Sequence, residues 1–228
     1  MLHGLALLSL ASKLEENTAP AFASLTAIDQ RRFLPVYPPK YPWLNPSTAM
    51  ANYVSNSTHE FESTFVQQIR SRLGGKPHEE KLSAELLDLV WSAASKVRED
   101  IKKRLQNGLK NDRLALMKFV PDARALIEKE ARKPRALSWG ISNLGMMDGT
   151  GKGETNPVGE ESRTWSIQRA QFTLSAHVPD AALLIDAVSL KGAELVITCT
   201  WQDTVVGDTL ANRFVEDLKR WLAQIGGL

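Results

Sequence analysis

Apolar positions along the 228-residue chain change their period from segment to segment, and those changes outline the elements. Residues 2–16 are apolar on most of a helical surface, with Leu2, Leu5, Leu7, Leu8 and Leu10, which predicts a helix packed on several sides. Ala21–Ile28 reads as a strand, and Ala51–Ser55 as a short second one. Phe61, Phe65 and Ile69 then recur at helical spacing until Gly74-Gly75-Lys76-Pro77 stops them. The next helix is long: Leu82, Leu86, Val90, Ala93, Val97, Ile101 and Leu105 form one stripe. A further helix is expected over 121–132.

The rest reads as β with a closing helix. Leu137–Leu144 is one strand, and Trp165–Leu174 alternates only in part. Ala182–Leu190, Lys191-Gly192-Ala193-Glu194 and Leu195–Trp201 make a hairpin. Leu210, Phe214, Leu218, Leu222 and Ile225 share one face of the last helix. Two loops interrupt this order. Five prolines between Pro35 and Pro46 exclude a helix or inner strand, so 35–48 is expected to be an extended, flexible loop held by its aromatic side chains. Residues 146–163 form a Gly-rich polar loop. The pattern is that of a single mixed α/β unit over 1–228.

Charge adds little. Twenty-eight basic residues nearly balance 26 acidic ones, giving +2, which supplies no reason to expect a nucleic-acid partner. The charged face at Lys96, Arg98, Glu99, Lys102, Lys103 and Arg104 interleaves acids and reads as solvated. No apolar run approaches the ~18 residues of a membrane span. The apolar opening lacks a basic region and runs on into Lys13-Leu14-Glu15-Glu16, so it is read as a helix rather than a secretion signal. The single cysteine, Cys199, sits in an apolar strand and is expected to be an inert core thiol in a cytoplasmic, reducing setting.

Self-contained catalytic motifs fail. Gly149-Thr150-Gly151-Lys152-Gly153 lacks the earlier glycine of a phosphate loop, where Met146 stands, and its Ser/Thr after the lysine. His3, His59, His78 and His177 show no metal-ligand spacing and are expected at surface or capping positions, His59 at a helix start. No Gly-x-Ser-x-Gly elbow is present.

Three segments, in order, carry a resemblance. Ile28-Asp29-Gln30-Arg31-Arg32-Phe33-Leu34-Pro35 resembles the D-x-R element of plant BAHD acyltransferases and its fungal counterpart. Met50-Ala51-Asn52-Tyr53 is similar to the following G-N-x-x, with Ala51 replacing the usual glycine. Ile141-Ser142-Asn143-Leu144-Gly145 matches the S-N-L-G strand end of the alcohol acetyltransferase and condensation-domain group. The chain therefore resembles the second, carboxy-terminal lobe of a fungal alcohol acetyltransferase, within the CoA-dependent superfamily of chloramphenicol-acetyltransferase type.

That resemblance implies an α/β lobe with a mixed β-sheet packed by helices, acetyl-CoA or another acyl-CoA as co-substrate with no bound cofactor, and a small-molecule alcohol of secondary metabolism as acceptor. It implies that Ser142, Asn143 and Gly145 line the substrate and CoA tunnel. Asp29, Arg31, Arg32 and Asn52 then form the structural interface, Arg31 being first choice to meet the aspartate of the family's H-x-x-x-D motif and Arg32 second. The histidine of that motif is the family's general base. Here Leu7, Ser63, Leu82 and Ala181 stand four places after the four histidines, so the motif is absent from the sequence. The expectation is an inactive lobe that needs an N-terminal acyltransferase lobe or self-association. A non-catalytic binding or interaction protein on the same lobe, or an unrelated α/β domain, remain the alternatives.

Overall fold

The computed structural model describes residues 1–74, 81–110, 112–150, 166–176 and 179–227. Its elements in chain order are α1 (Leu2–Lys13), β1 (Phe22–Asp29), β2 (Val54–Phe61), α2 (Ser63–Leu73), α3 (Ala84–Gln106), α4 (Arg113–Met117), α5 (Ala123–Ala131), β3 (Trp139–Met147), β4 (Leu183–Leu190), β5 (Leu195–Trp201) and α6 (Asp208–Gly226). The strands form one mixed sheet in the order β2-β1-β3-β4-β5. The inner strands β1, β3 and β4 are parallel, and β2 and β5 close the two edges antiparallel.

α1 lies at the centre of the helical layer. Every residue from His3 to Ala11 is buried, because α2, α3, α6 and the sheet surround the helix. The all-round apolar sequence is thus matched by all-round burial. Its crossing with α3 depends on Gly4: a β-carbon there would stand 2.4 Å from the Val90 carbonyl oxygen. α1 ends at Lys13, three residues before the expected boundary, where Leu14 turns extended (φ −104°, ψ 133°). Charge enters where α1 meets α6. Asp217 of α6 receives Ser9 Oγ at 2.7 Å and Arg220 at 2.7 Å, and it pairs with Lys13, whose side chain is itself buried.

The stripes expected on the long and last helices face the core as read. Leu82, Leu86, Val90, Ala93 and Val97 are buried, as are Phe214 and Leu218, with Leu210, Leu222 and Ile225 packed around them. Ser83 caps α3 by accepting the Leu86 amide, and Asp122 caps α5 through Ala125. The hairpin forms with Leu183 opposite Trp201 and Ser189 opposite Leu195.

Four expectations change. The strand placed at 51–55 is instead β2, Val54–Phe61, paired with β1 along its whole length. Its inward positions are Ser55, Ser57, His59 and Phe61, so apolar alternation, the usual strand signal, is missing. Phe61 consequently ends a strand rather than opening the helix that follows. Met146 and Met147, assigned to the Gly-rich loop, belong to β3 because they pair with Ser189 and Leu190 of β4. The half-alternating segment up to Leu174 is no strand over its described part. It crosses the sheet as a strap held by side chains: Thr198 bonds the Phe172 carbonyl, Thr200 the Leu174 carbonyl at 2.8 Å, and Asp186 the Leu174 amide at 2.7 Å. The short α4 was not anticipated. In the Pro-rich loop the Tyr41 and Trp43 rings meet edge-on at 6.0 Å, and the loop contains no helix or strand.

Candidate functional site

Parallel pairing between β1 and β3 is short. It joins Ser24–Thr26 to Trp139–Ile141 and then stops. Beyond that point β1 continues beside β2 as far as Asp29, while β3 continues beside β4 as far as Met147. The sheet therefore forks at the carboxyl ends of two parallel strands, the place where ligands bind in open α/β sheets.

One wall of the fork carries the Ser-Asn-Leu-Gly segment. The β3–β4 register shifts between Asn143 and Met146. Asn143 Oδ1 accepts the Gly145 amide at 2.8 Å, and Gly145 takes φ +76°, a conformation that glycine alone adopts without strain. This turn-like bulge leaves Leu144 and Met146 exposed, at 53% and 67%, on a strand that is buried up to Ile141. Ser142 stands opposite Asp186, a buried carboxyl whose Oδ1 has no hydrogen-bond partner among the described residues. Burial raises the Asp186 carboxyl above its ordinary pKa, and the Leu174 amide opposes the shift.

The other wall is the end of β1. Asp29 Oδ1 accepts the Arg31 amide at 3.0 Å and pairs with the Arg31 guanidinium at 3.3 Å. Arg31 Nε donates to the Pro46 carbonyl at 3.0 Å, and the guanidinium lies 4.8 Å from the Tyr53 ring centroid. Arg31 is thereby committed within the chain. Arg32 is exposed in the same short 3-10 turn and makes no ion pair among the described residues. Asn52 accepts the Val54 amide at 3.1 Å and shapes the start of β2. The fold thus brings all seven singled-out residues to one end of the sheet, divided between its two arms.

A second constellation was not visible from sequence. His3 and His59, expected at surface or capping positions, are 6% and 1% exposed, and His59 lies within β2 rather than at a helix start. The indole N–H of Trp139 can only donate, so its 3.1 Å contact assigns His3 Nδ1 as an acceptor and places the proton on Nε2. His3 Nε2–H then donates to Thr26 Oγ1 at 2.8 Å, and the Thr26 hydroxyl to His59 Nε2 at 2.9 Å. His59 Nδ1–H completes the line by donating to Asp100 Oδ2 at 3.1 Å. Burial lowers the His3 pKa to about 3, with the neighbouring His59 adding to it, and burial also lowers that of His59 against the pull of Asp100. Both rings are neutral.

Hydroxyl, imidazole and carboxylate follow one another here as they do in nucleophilic triads. The His59 side chain is wholly buried, however, and the Thr26 hydroxyl is engaged on both sides, by His3 and by His59. The array clasps α1, the sheet and α3 together. Only the alternation of Ser55, Ser57 and His59 hints at it in the sequence, since its members lie on four separate elements. His78, His177 and Gly151–Gly153 lie outside the described residues.

A cavity of about 620 Å3 opens at the opposite, amino-terminal ends of β1, β3 and β4, lined largely by apolar residues such as Leu14, Phe22, Phe61 and Val206. Among the described residues no cluster of three or more His, Cys, Asp or Glu is arranged to hold a metal, and no helix is long and apolar enough to cross a membrane. Cys199 is half-buried, and burial, with Asp186 beside it, pushes its thiol up to about 11, as expected for an inert cysteine.

No family model matches the chain. It is 25% identical over 228 residues to the probable alcohol acetyltransferase FCK4 of Fusarium pseudograminearum, a match covering 99% of this chain and 41% of that protein. It is 26% identical over 128 residues to the probable alcohol acetyltransferase crmB of Aspergillus fumigatus, covering 54% and 26% respectively. The chain thus spans about two fifths of the length of the first of these relatives (41%). The TRI3 trichothecene 15-O-acetyltransferase of Fusarium sporotrichioides shares its fold with a TM-score of 0.64 at 16% identity, over 95% of this chain and 39% of that one. The expected resemblance to fungal alcohol acetyltransferases, and the mixed α/β fold that goes with it, are therefore found.

Proposed function

We propose that this chain, similar in sequence to fungal alcohol acetyltransferases, is the second lobe of a CoA-dependent O-acyltransferase working on a small alcohol of secondary metabolism in the cytoplasm. The observation that carries the reading is the fork. Its two arms present the three segments whose sequences resemble the family's tunnel and interface elements, and they do so at one end of the sheet.

In this reading the thioester of acetyl-CoA or a longer acyl-CoA lies along the β3 arm, beside Ser142, Asn143 and Gly145. The acceptor hydroxyl attacks the thioester carbonyl, the new C–O bond forms, and the C–S bond breaks to release CoA. The proton leaves the acceptor for a general base and passes to the departing thiolate. His3 and His59 cannot be that base, because both are buried and engaged. The base comes from an H-x-x-x-D motif on a partner lobe, and this chain supplies the arginine that meets its aspartate. Arg31 being committed to Asp29, Pro46 and Tyr53, the exposed Arg32, with no ion pair among the described residues, takes that part.

The test is an assay of acetyl transfer from radiolabelled acetyl-CoA to a panel of small alcohols, run with this chain alone and with a first lobe bearing H-x-x-x-D added. Transfer that appears only with both supports the proposal. Transfer by the chain alone, or none with a lobe that demonstrably binds it, overturns it.

A further inference from the structure

β2 is an edge strand without the devices that usually close an edge. It runs eight residues, Val54–Phe61, in unbroken register with β1, and its sequence contains no proline, lysine or bulge. Long regular edges expose unpaired backbone groups that invite another strand. The opposite edge strand, β5, has the strap 172–174 fastened against it through Thr198 and Thr200.

A groove of about 380 Å3 runs between β2 and α3. Its lining takes four consecutive residues, Ser55–Thr58, which marks the backbone edge of β2 rather than one face of it, together with Asp100, Lys103 and Arg104 of α3. The one carboxylate is already answered twice, by His59 Nδ1 at 3.1 Å and by Lys96 Nζ at 3.7 Å. Arg104 is tied to Asp112 and to the Gly108 carbonyl. Lys103 is exposed with no ion pair among the described residues, so the groove offers one uncommitted cation beside the backbone edge of β2.

We propose that this groove docks an extended acidic segment of another polypeptide, which adds to the five-stranded sheet beside β2 and sets a carboxylate against Lys103. Strand addition takes its affinity from main-chain bonds and its specificity from alternate side chains. Charge decides against a second copy of this chain. A two-fold pairing of β2 with itself would bring the groove-lining Lys103 of both α3 helices to one seam. Alternation suits the segment, because its side chains on the α3 side meet Lys103 while the others face solvent.

The experiment uses fluorescent peptides about as long as β2, alternating Val or Thr with Glu, against otherwise identical peptides carrying Lys. Anisotropy should show binding of the acidic peptide at least about tenfold tighter, weakening as salt rises. Hydrogen exchange across 54–61 should slow when it binds. The exposed substitution Lys103→Glu should weaken it roughly tenfold, about the effect of reversing one contact charge, with the melting temperature unchanged. Equal binding of both peptides, no binding, or protection that falls elsewhere than on 54–61 would overturn the proposal. So would a concentration-dependent dimer that protects β2 without peptide, since the occupant would then be a second copy.

Discussion

His59 of β2 and Asp100 of α3 meet at 3.1 Å and are the outer link of a hydrogen-bonded line that reaches His3 inside α1. Each donor in the line has one acceptor, and the order works only with both rings neutral. The consequence is a pH dependence. Folding lowers the His3 pKa from 6.5 to about 3, so between those values the unfolded chain binds the extra proton. Stability from this group is complete above 6.5 and declines as pH falls toward 3, by about 1.4 kcal/mol per pH unit within the window. His59, lowered in the same sense, adds to the decline. Urea unfolding at several pH values checks this, and a midpoint that does not move between pH 7 and 5 refutes it.

Thr26 is the middle of that line, and its hydroxyl both receives and gives a proton. Thr26→Val keeps the shape but leaves His3 Nε2–H and His59 Nε2 unpaired in the interior. A loss of about 1–3 kcal/mol is expected, the usual cost of orphaned buried groups. Denaturant titration of the two proteins measures it; equal stabilities would mean that the line contributes nothing.

Asp217 gathers Ser9, Lys13 and Arg220 where α6 meets α1. Asp217→Ala leaves the Lys13 ammonium buried without its partner, and a loss of about 3–5 kcal/mol is expected. Replacing Lys13 and Asp217 together by Met and Leu should recover most of it. If the double variant is no more stable than the single one, burial of an unpaired charge is not the cause.

Asp186 shows the opposite sign from the histidines. Burial raises its pKa from 3.8, so the folded state holds the proton more tightly, and stability falls as pH climbs from 3.8 through the folded value. Asp186→Asn retains an oxygen for the Leu174 amide and removes the charge. Its melting temperature should match the parent below pH 3.8 and exceed it at pH 7. A lower value at pH 7 would contradict the assignment.

The two arginines at the end of β1 are predicted to separate. Arg31→Ala loosens the turn, through Asp29, the Pro46 carbonyl and Tyr53, and should lower stability whether or not a partner lobe is present. Arg32→Ala should leave the melting temperature unchanged and weaken association with an added first lobe. Calorimetry of that association distinguishes them, and an effect confined to Arg31 would return the interface role to it.

Local pattern was enough wherever one face of an element met apolar core. The stripe from Leu82 to Val97, the face of Phe214 and Leu218, the hairpin around Gly192 and the all-round apolar α1 were legible because burial of apolar area, the largest stabilising contribution to folding, is written at short range. The ordered segments around Asp29, Asn52 and Ser142–Gly145 were likewise legible as a family resemblance. Long-range pairing decided the rest. β2 hides in the sequence because its inward residues are Ser55, Ser57 and His59, whose partners Thr26 and Asp100 lie 33 and 41 residues away in the chain. The division of the candidate site between two arms follows from where the β1–β3 ladder stops, and the commitment of Arg31 from where the chain brings Pro46 and Tyr53. Hydrogen bonds are directional and need a partner at the right distance, so a sequence states which groups must be satisfied and only the tertiary structure states by which.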